Sequence, residues 1–301
     1  MRTDLRSDMD TQNKVSIYGG HGFVLGEFCR QFPDISVRVP KEQLEPITPN
    51  ILYGISTTDN YNVFESPTLD IETNLIHLME VLDACHKKYG NKFEFTFISS
   101  WFVYGGTLST DSQPLVEERL CRPTGFYSIT KYAAEMLLQS YCDTFQIKYR
   151  ILRLANVLGH RDKGVSKKKN ALQYLIDKLA HNEDIELYDG GKFYRDYIDV
   201  RDCARAIRLV MESGTEKIYN ISNGASHLFK DLIDHVVKYS GTRGNVWEMV
   251  HKPEFHSVVQ SKDVFLSNEK LKGLGYSPKY TIQETLEEIV DEYIGDVDGN
   301  K

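Results

Sequence analysis

The sequence predicts an α/β fold, a doubly wound parallel sheet followed by a smaller C-terminal α/β lobe. Two observations carry this reading. From about residue 14 to residue 158, short β-rich apolar runs alternate with stretches of helical periodicity. That rhythm belongs to a parallel sheet with helices on both faces and right-handed crossovers. Beyond residue 158 the elements become shorter and less regular, which fits a second lobe closing over one edge of the sheet.

The elements follow in chain order. VSIY (Val15 to Tyr18) is a first strand; it enters GGHGF and then a helix-compatible stretch to about Gln31. ISVRV (Ile35 to Val39) is a second strand, stopped by Pro40, and NILYGI (Asn50 to Ile55) is a third. Residues 67–88 place Leu69, Ile71, Leu75, Leu78, Met79, Leu82 and Cys85 at helical spacing. FEFTFIS (Phe93 to Ser99) is a fourth strand, residues 127–145 a second long helix, and YRILRLANV (Tyr149 to Val157) a fifth strand. Then come a polar Lys-rich loop, a helix near 170–180, IELY, a Gly-Gly turn, DYIDV, a helix near 201–212 and IYNIS. Helical patterns near 226–239 and 280–294 close the chain. The domain reading is a disordered tail over 1–13 and a sheet domain over 14–158 with returning segments near 185–221. The second lobe lies mainly in 159–295.

Composition narrows the class. The chain has 301 residues, 41% hydrophobic and 26% charged, which is ordinary for a globular protein. A formal net charge of -7 argues against a nucleic-acid or anionic-membrane surface. The five cysteines are scattered, with no CxxC pair, which points to a reducing compartment, read as cytoplasmic, and to no structural metal. No apolar run reaches the length of a membrane span, and the polar, acid-containing start lacks the apolar core of a signal peptide.

Gly19-Gly20-His21-Gly22-Phe23-Val24-Leu25-Gly26 lies between the first strand and its helix. A dinucleotide pyrophosphate sits at such a place, on bare backbone N–H groups at a helix N-terminus. Leu25 occupies the third glycine position, where close helix–strand packing is usual, and Gly26 follows one place late. A plain glycine turn is the competing reading; the strand–loop–helix context favours the cofactor. An NAD site often has an acid at the end of strand two. Arg38, Val39, Pro40 and Lys41 stand there instead, which leans toward the 2′-phosphate of NADP unless Arg38 and Lys41 are merely solvated charges.

Tyr127 and Lys131 are four apart at the start of a helix and share a face. An ammonium beside a phenol lowers its pKa, making Tyr127 a candidate general acid/base. Ser100, at the end of the fourth strand, is placed to hold a reacting oxygen. Alone the pair is an ordinary exposed Tyr and Lys; after a glycine loop and a serine strand end, in that order, it reads as chemistry.

With these residues in place the chain resembles the extended short-chain dehydrogenase/reductases of the nucleotide-sugar epimerase/dehydratase family, from about Lys14 to Glu292. GGHGF, Asn74 within DIETNL, Ser100-x-x-Val103-Tyr104-Gly105, Pro123, YSITK, LRLANVLG with Asn156, RDYIDV from Arg195 to Val200, YNISNG and LGYSP all carry the likeness. The resemblance implies a seven-stranded Rossmann domain and a C-terminal lobe that holds a nucleoside-diphosphate sugar. It implies Ser100, Tyr127 and Lys131 as catalytic residues. It implies Gly19, Gly22, Phe23, Val24, Arg38, Ser56, Asn74, Tyr127 and Lys131 around NAD or NADP. It further implies substrate contacts from Ser100, Trp101, Asn156 and Arg195, and a homodimer through the helices near 67–88 and 127–145.

The residues after Ser100 narrow the reaction. The family's 4,6-dehydratases place Asp and Glu there as the acid and base of elimination, and its decarboxylases use a Glu at the second place. Trp101 and Phe102 cannot carry a proton at neutral pH, so both routes are disfavoured. What remains is C4 epimerisation through a transient 4-keto sugar, the favoured reading, or NADPH-dependent reduction of a ketosugar. A dinucleotide-binding regulator without turnover is the reading from another class. Asp59, Asn60 and Tyr61 are expected to line the pocket or cap their loop; Lys167, Lys168 and Lys169 to form a solvated loop or grip phosphate; His21 to pack or contact phosphate.

Overall fold

The structure is a computed structural model. It describes residues 13–59, 61–105, 113–163, 165–166, 170–249 and 263–299. The tail before Asn13, together with Asn60, Gly106 and Lys167 to Lys169, lies outside them.

Six parallel strands form the central sheet. They are β1 (Val15–Tyr18), β2 (Ser36–Arg38), β3 (Asn50–Tyr53), β4 (Glu94–Ser100), β5 (Lys148–Leu154) and β10 (Ile218–Ile221). Their order across the sheet is β2-β1-β3-β4-β5-β10. The register aligns Val15 with both Ser36 and Asn50, Tyr18 with Tyr53, and Tyr53 with Phe97. β4 therefore runs three residues beyond its neighbour, to Ser100, which pairs with Leu154. The expected seventh strand is not found among the described residues. After Ile221 the chain turns instead into His227–Leu228 (β11), antiparallel to Tyr194–Arg195 (β8).

Alternation along each strand loads both faces of the sheet. Ile17, Leu52 and Leu152 pack with α1 (Phe23–Gln31) and α5 (Val200–Ser213), burying Leu25, Phe28, Ala204, Ile207 and Val210. Tyr18, Tyr53 and Phe97 pack on the other face with α2 (His77–Tyr89) and α3 (Phe126–Phe145) through Leu78, Leu82, Ala134 and Leu138. A third apolar cluster joins α4 (Ala171–Ala180), β7 (Ile185–Tyr188), α6 (Phe229–Ser240) and α7 (Ile282–Gly299) through Ile176, Leu187, Ile233 and Ile289.

Two elements differ from the expected run. The strand read over Tyr149 to Val157 breaks after Leu154, and β6 (Asn156–Leu158) pairs in parallel with β9 (Tyr197–Asp199) outside the main sheet. That bend carries Asn156 toward Asp196, whose carbonyl accepts from both its backbone N–H and its Nδ2. The helix read over 67–88 is interrupted by a π-helical turn, Glu72–Ile76. Such turns often mark functional places in helices, and this one contains Asn74.

Candidate active site

The sheet reverses its winding between β1 and β3. Ligands of open α/β sheets bind beyond the strand C-termini at such a switch point. Gly19 leaves β1 with φ +83, and a Cβ there would stand 3.2 Å from the carbonyl carbon of Gly54, just past β3. The Gly22 N–H donates to the Gly19 carbonyl at 2.9 Å, and α1 then starts at Phe23 with no side-chain acceptor at its N-cap, Gly22. This end of α1 leaves its dipole and early N–H groups open to an anion, so the loop fits a dinucleotide pyrophosphate. Leu25 at the third glycine position is accommodated from the opposite side. A Cβ on Gly54 would lie 2.5 Å from Leu25 Cδ1, so the small residue needed for close packing has moved to the facing strand end. Arg38 ends β2 and donates from Nε to the Gly20 carbonyl at 2.9 Å, which brings its guanidinium to the loop. His21 is exposed on the same loop.

Across the switch point, Tyr127 opens α3 and is buried, with the Ser100 and Ser56 side chains acting on its phenol. Ser100 also caps the 3-10 turn Trp101–Tyr104, accepting from the Phe102 N–H at 3.4 Å. Burial pushes the Tyr127 phenol up to about 12, and the charge of Asp70 adds to the rise, while the polar Ser100 and Ser56 side chains oppose it. The expected lowering by Lys131 is therefore corrected. Lys131 Nζ donates to the Ile98 carbonyl at 2.7 Å and lies 4.3 Å from the centroid of the Phe97 ring. Burial holds its ammonium down to about 7, and Glu135 one turn later partly opposes that shift.

Asn74 is buried and fully committed to the protein. Its Oδ1 accepts from Ser56 Oγ and the Thr57 N–H, each at 3.0 Å. Its Nδ2 donates to Thr57 Oγ1 at 2.9 Å and to Thr130 Oγ1 at 3.0 Å. An amide offers two acceptor and two donor positions, so none is left for the direct cofactor contact expected of Asn74. Its place is instead to fix Ser56 and the Tyr127–Lys131 turn relative to each other.

Trp101 and Phe102 form one side of the site. Their rings stack with centroids 3.9 Å apart, and Phe102 meets Tyr127 edge-on at 5.9 Å. Trp101 Nε1 donates to Asn156 Oδ1 at 3.2 Å. The Arg195 guanidinium lies 5.8 Å from the Trp101 ring and 4.6 Å from Phe193. The structure thus brings Ser100, Trp101, Asn156 and Arg195 into one chain of contacts beside Tyr127.

A buried network behind the site was not anticipated. Glu135 accepts a fork from Arg153, at 2.8 Å from Nη2 and 3.1 Å from Nε, and also receives Ser99 Oγ at 2.5 Å. Arg153 Nη1 reaches the Tyr104 hydroxyl at 3.0 Å, and that hydroxyl donates to Asn220 Oδ1 at 2.8 Å. A charge inside the apolar run of β5, and an acid four places after Lys131, were the available signals.

Comparison with known proteins identifies the family and the fold. Residues 49–222 match the model of the NAD dependent epimerase/dehydratase family. A putative UDP-glucose 4-epimerase of Methanocaldococcus jannaschii is 27% identical over 232 residues, 76% of this chain and 72% of that protein. A UDP-glucose 4-epimerase from Thermus thermophilus, solved with NAD, has a TM-score of 0.82 at 22% identity, covering 94% of this chain and 99% of that one. RMD from Pseudomonas aeruginosa, solved with NADPH, gives 0.80 at 21% identity, covering 95% of this chain and 100% of that one. At such identities the solved structures establish the fold alone.

Proposed function

Because the chain belongs to the NAD-dependent epimerase/dehydratase family, whose members are NAD(P)-dependent nucleotide-sugar enzymes, we propose that it is a nucleotide-sugar 4-epimerase acting through a transient 4-keto sugar. The observation that carries this reading is the buried Tyr127 phenol at the C-terminal edge of the sheet, edge-on to Phe102 beside the Ser100 strand end and across the switch point from the glycine loop. Gly19, Gly22, Phe23, Val24 and Ser56 would hold the dinucleotide, with Lys131 beside its ribose and Arg38 at its adenosine end. A bound nicotinamide supplies the hydride acceptor and donor. The protein's part is proton transfer and positioning. Ser100 holds the reacting oxygen, and Tyr127, which must ionise in the loaded site against the upward push of burial, takes the C4 hydroxyl proton and returns it after the ketosugar turns over, with Lys131 in its charged form steadying the phenolate. Arg195 is assigned to the diphosphate, for which a guanidinium fork is suited, and Asn156 and Trp101 to the sugar side.

Trp101 and Phe102 leave no acid or base after Ser100 for dehydration or decarboxylation. One observation favours a second reading, NADPH-dependent reduction of a ketosugar: Arg38 bonded to the glycine loop, with no acid at the end of β2. The two separate on the dinucleotide released when the purified protein is denatured and its supernatant is weighed by mass spectrometry. The epimerase reading predicts retained NAD in near-stoichiometric amount. An empty protein that binds NADPH over NAD would replace it with the reductase.

A homodimer through α2 and α3 is also proposed. The outer surface of α3 exposes Ile129, Met136, Leu137 and Phe145, and Leu69, Ile71 and Ile76 are exposed just before α2, more apolar surface than a solvated helix pair needs.

A further inference from the structure

We propose that Phe102 is a specificity-determining residue: an aromatic wall that selects nucleotide sugars with methyl or C–H surface next to the reacting carbinol, as 6-deoxyhexoses have, over their 6-hydroxyl counterparts. This rests on Tyr127 being the acid/base. Ser100 and Tyr127, the two groups that must reach the reacting oxygen, both adjoin Phe102, Ser100 through the Phe102 backbone and Tyr127 against its ring. Ser100 Oγ accepts from the Phe102 N–H at 3.4 Å, and the Tyr127 ring stands 5.9 Å from that of Phe102 at 84°. A C4 hydroxyl within about 3 Å of both oxygens brings one neighbouring carbon against the aromatic wall. Of C3 and C5, the two neighbours of C4 on a hexopyranose, the one assigned to this wall is C5, whose exocyclic carbon separates a hexose from its 6-deoxy counterpart.

The ring cannot readily move aside. Trp101 covers one face, stacked at 3.9 Å and 24°. Trp101 is itself buried and tied by Nε1 to Asn156 Oδ1 at 3.2 Å, and Asn156 Nδ2 donates to the Asp196 carbonyl at 3.0 Å. Phe102 is only partly buried, so some of its surface stays open. A phenyl surface offers a hydroxyl no hydrogen-bonding partner of ordinary strength. A hydroxymethyl group pressed against it loses water without replacement, whereas a methyl group gains apolar burial.

The test is kcat/KM of the 301-residue chain on paired hexose and 6-deoxyhexose nucleotides, in the UDP, dTDP and GDP series, for wild type, Phe102→Ser and Phe102→Leu. Wild type is expected to prefer the 6-deoxy sugar by about 10-fold or more, the discrimination typical of one small substituent in an apolar pocket. Phe102→Ser should bring that ratio near one while dinucleotide affinity is kept. Phe102→Leu, which keeps the wall apolar, should retain most of the preference and serves if the serine variant does not fold. A wild-type ratio at or below one, or the same ratio in wild type and in the serine variant, overturns the inference and leaves the function standing. Turnover of no pair, with dinucleotide bound, overturns the function and this inference with it.

Discussion

Tyr127 and Lys131 lie one turn apart on α3, yet burial drives them in opposite directions, the phenol up to about 12 and the ammonium down to about 7. Each is shifted toward its neutral form. For Lys131 the consequence for stability can be signed. Between the folded value near 7 and the ordinary lysine value of 10.5, the unfolded chain binds a proton that the folded chain does not. Its contribution therefore makes the fold more stable as pH rises through that window. Urea midpoints at pH 7 and 9, below the range of ordinary phenols, should rise more steeply for wild type than for Lys131→Met. Parallel slopes would show that the buried ammonium does not titrate there. The Tyr–Lys spacing was legible because both residues recur on one helical face. The shifts were not, because they depend on Ile98, Phe97 and Glu135, which only the folded chain brings to Lys131. Gly54 was illegible for the same reason: its need to be small comes from Leu25 on another element.

At the scale of elements, the long helices and central strands could be read from period and apolar runs, within a few residues at each end. The two departures are tertiary. A regular apolar spacing through residues 67–88 hides the π turn Glu72–Ile76, which turns Asn74 to bridge Ser56, Thr57 and Thr130. An unbroken run from Tyr149 to Val157 hides the change of partner at Ala155, since β6 pairs with a strand more than thirty residues later. The helices also carry a prediction of their own. Met136 and Ile129 are seven apart on α3 and both exposed, so they share a face. Met136→Glu combined with Ile129→Lys should convert a dimer to a monomer in sedimentation velocity, with little loss of monomer fold. A wild-type monomer at micromolar concentration would contradict the proposed interface.

For the whole molecule, the switch point between β1 and β3 explains why separate segments meet. The glycine loop, the Ser56 segment, the Ser100 strand end and the start of α3 all lie at the C-terminal edge of one sheet. The bend after β5 adds Asn156, and β8 adds Arg195. Strand–helix alternation made that sheet foreseeable. The small two-stranded sheets β6-β9 and β8-β11 were not, because two- and three-residue strands carry little periodic signal. Among the described residues, no helix is long and apolar enough to cross a membrane.

The central claim is that Tyr127 moves the proton of a nucleotide sugar's reacting hydroxyl, and the most direct measurement of it is the turnover of Tyr127→Phe on nucleotide sugars that the wild type converts. The substitution removes only the phenolic oxygen. The account predicts a fall in kcat of about 100-fold or more, the usual range for a lost general acid/base, with dinucleotide content and thermal midpoint close to wild type. Turnover at the wild-type rate would contradict it.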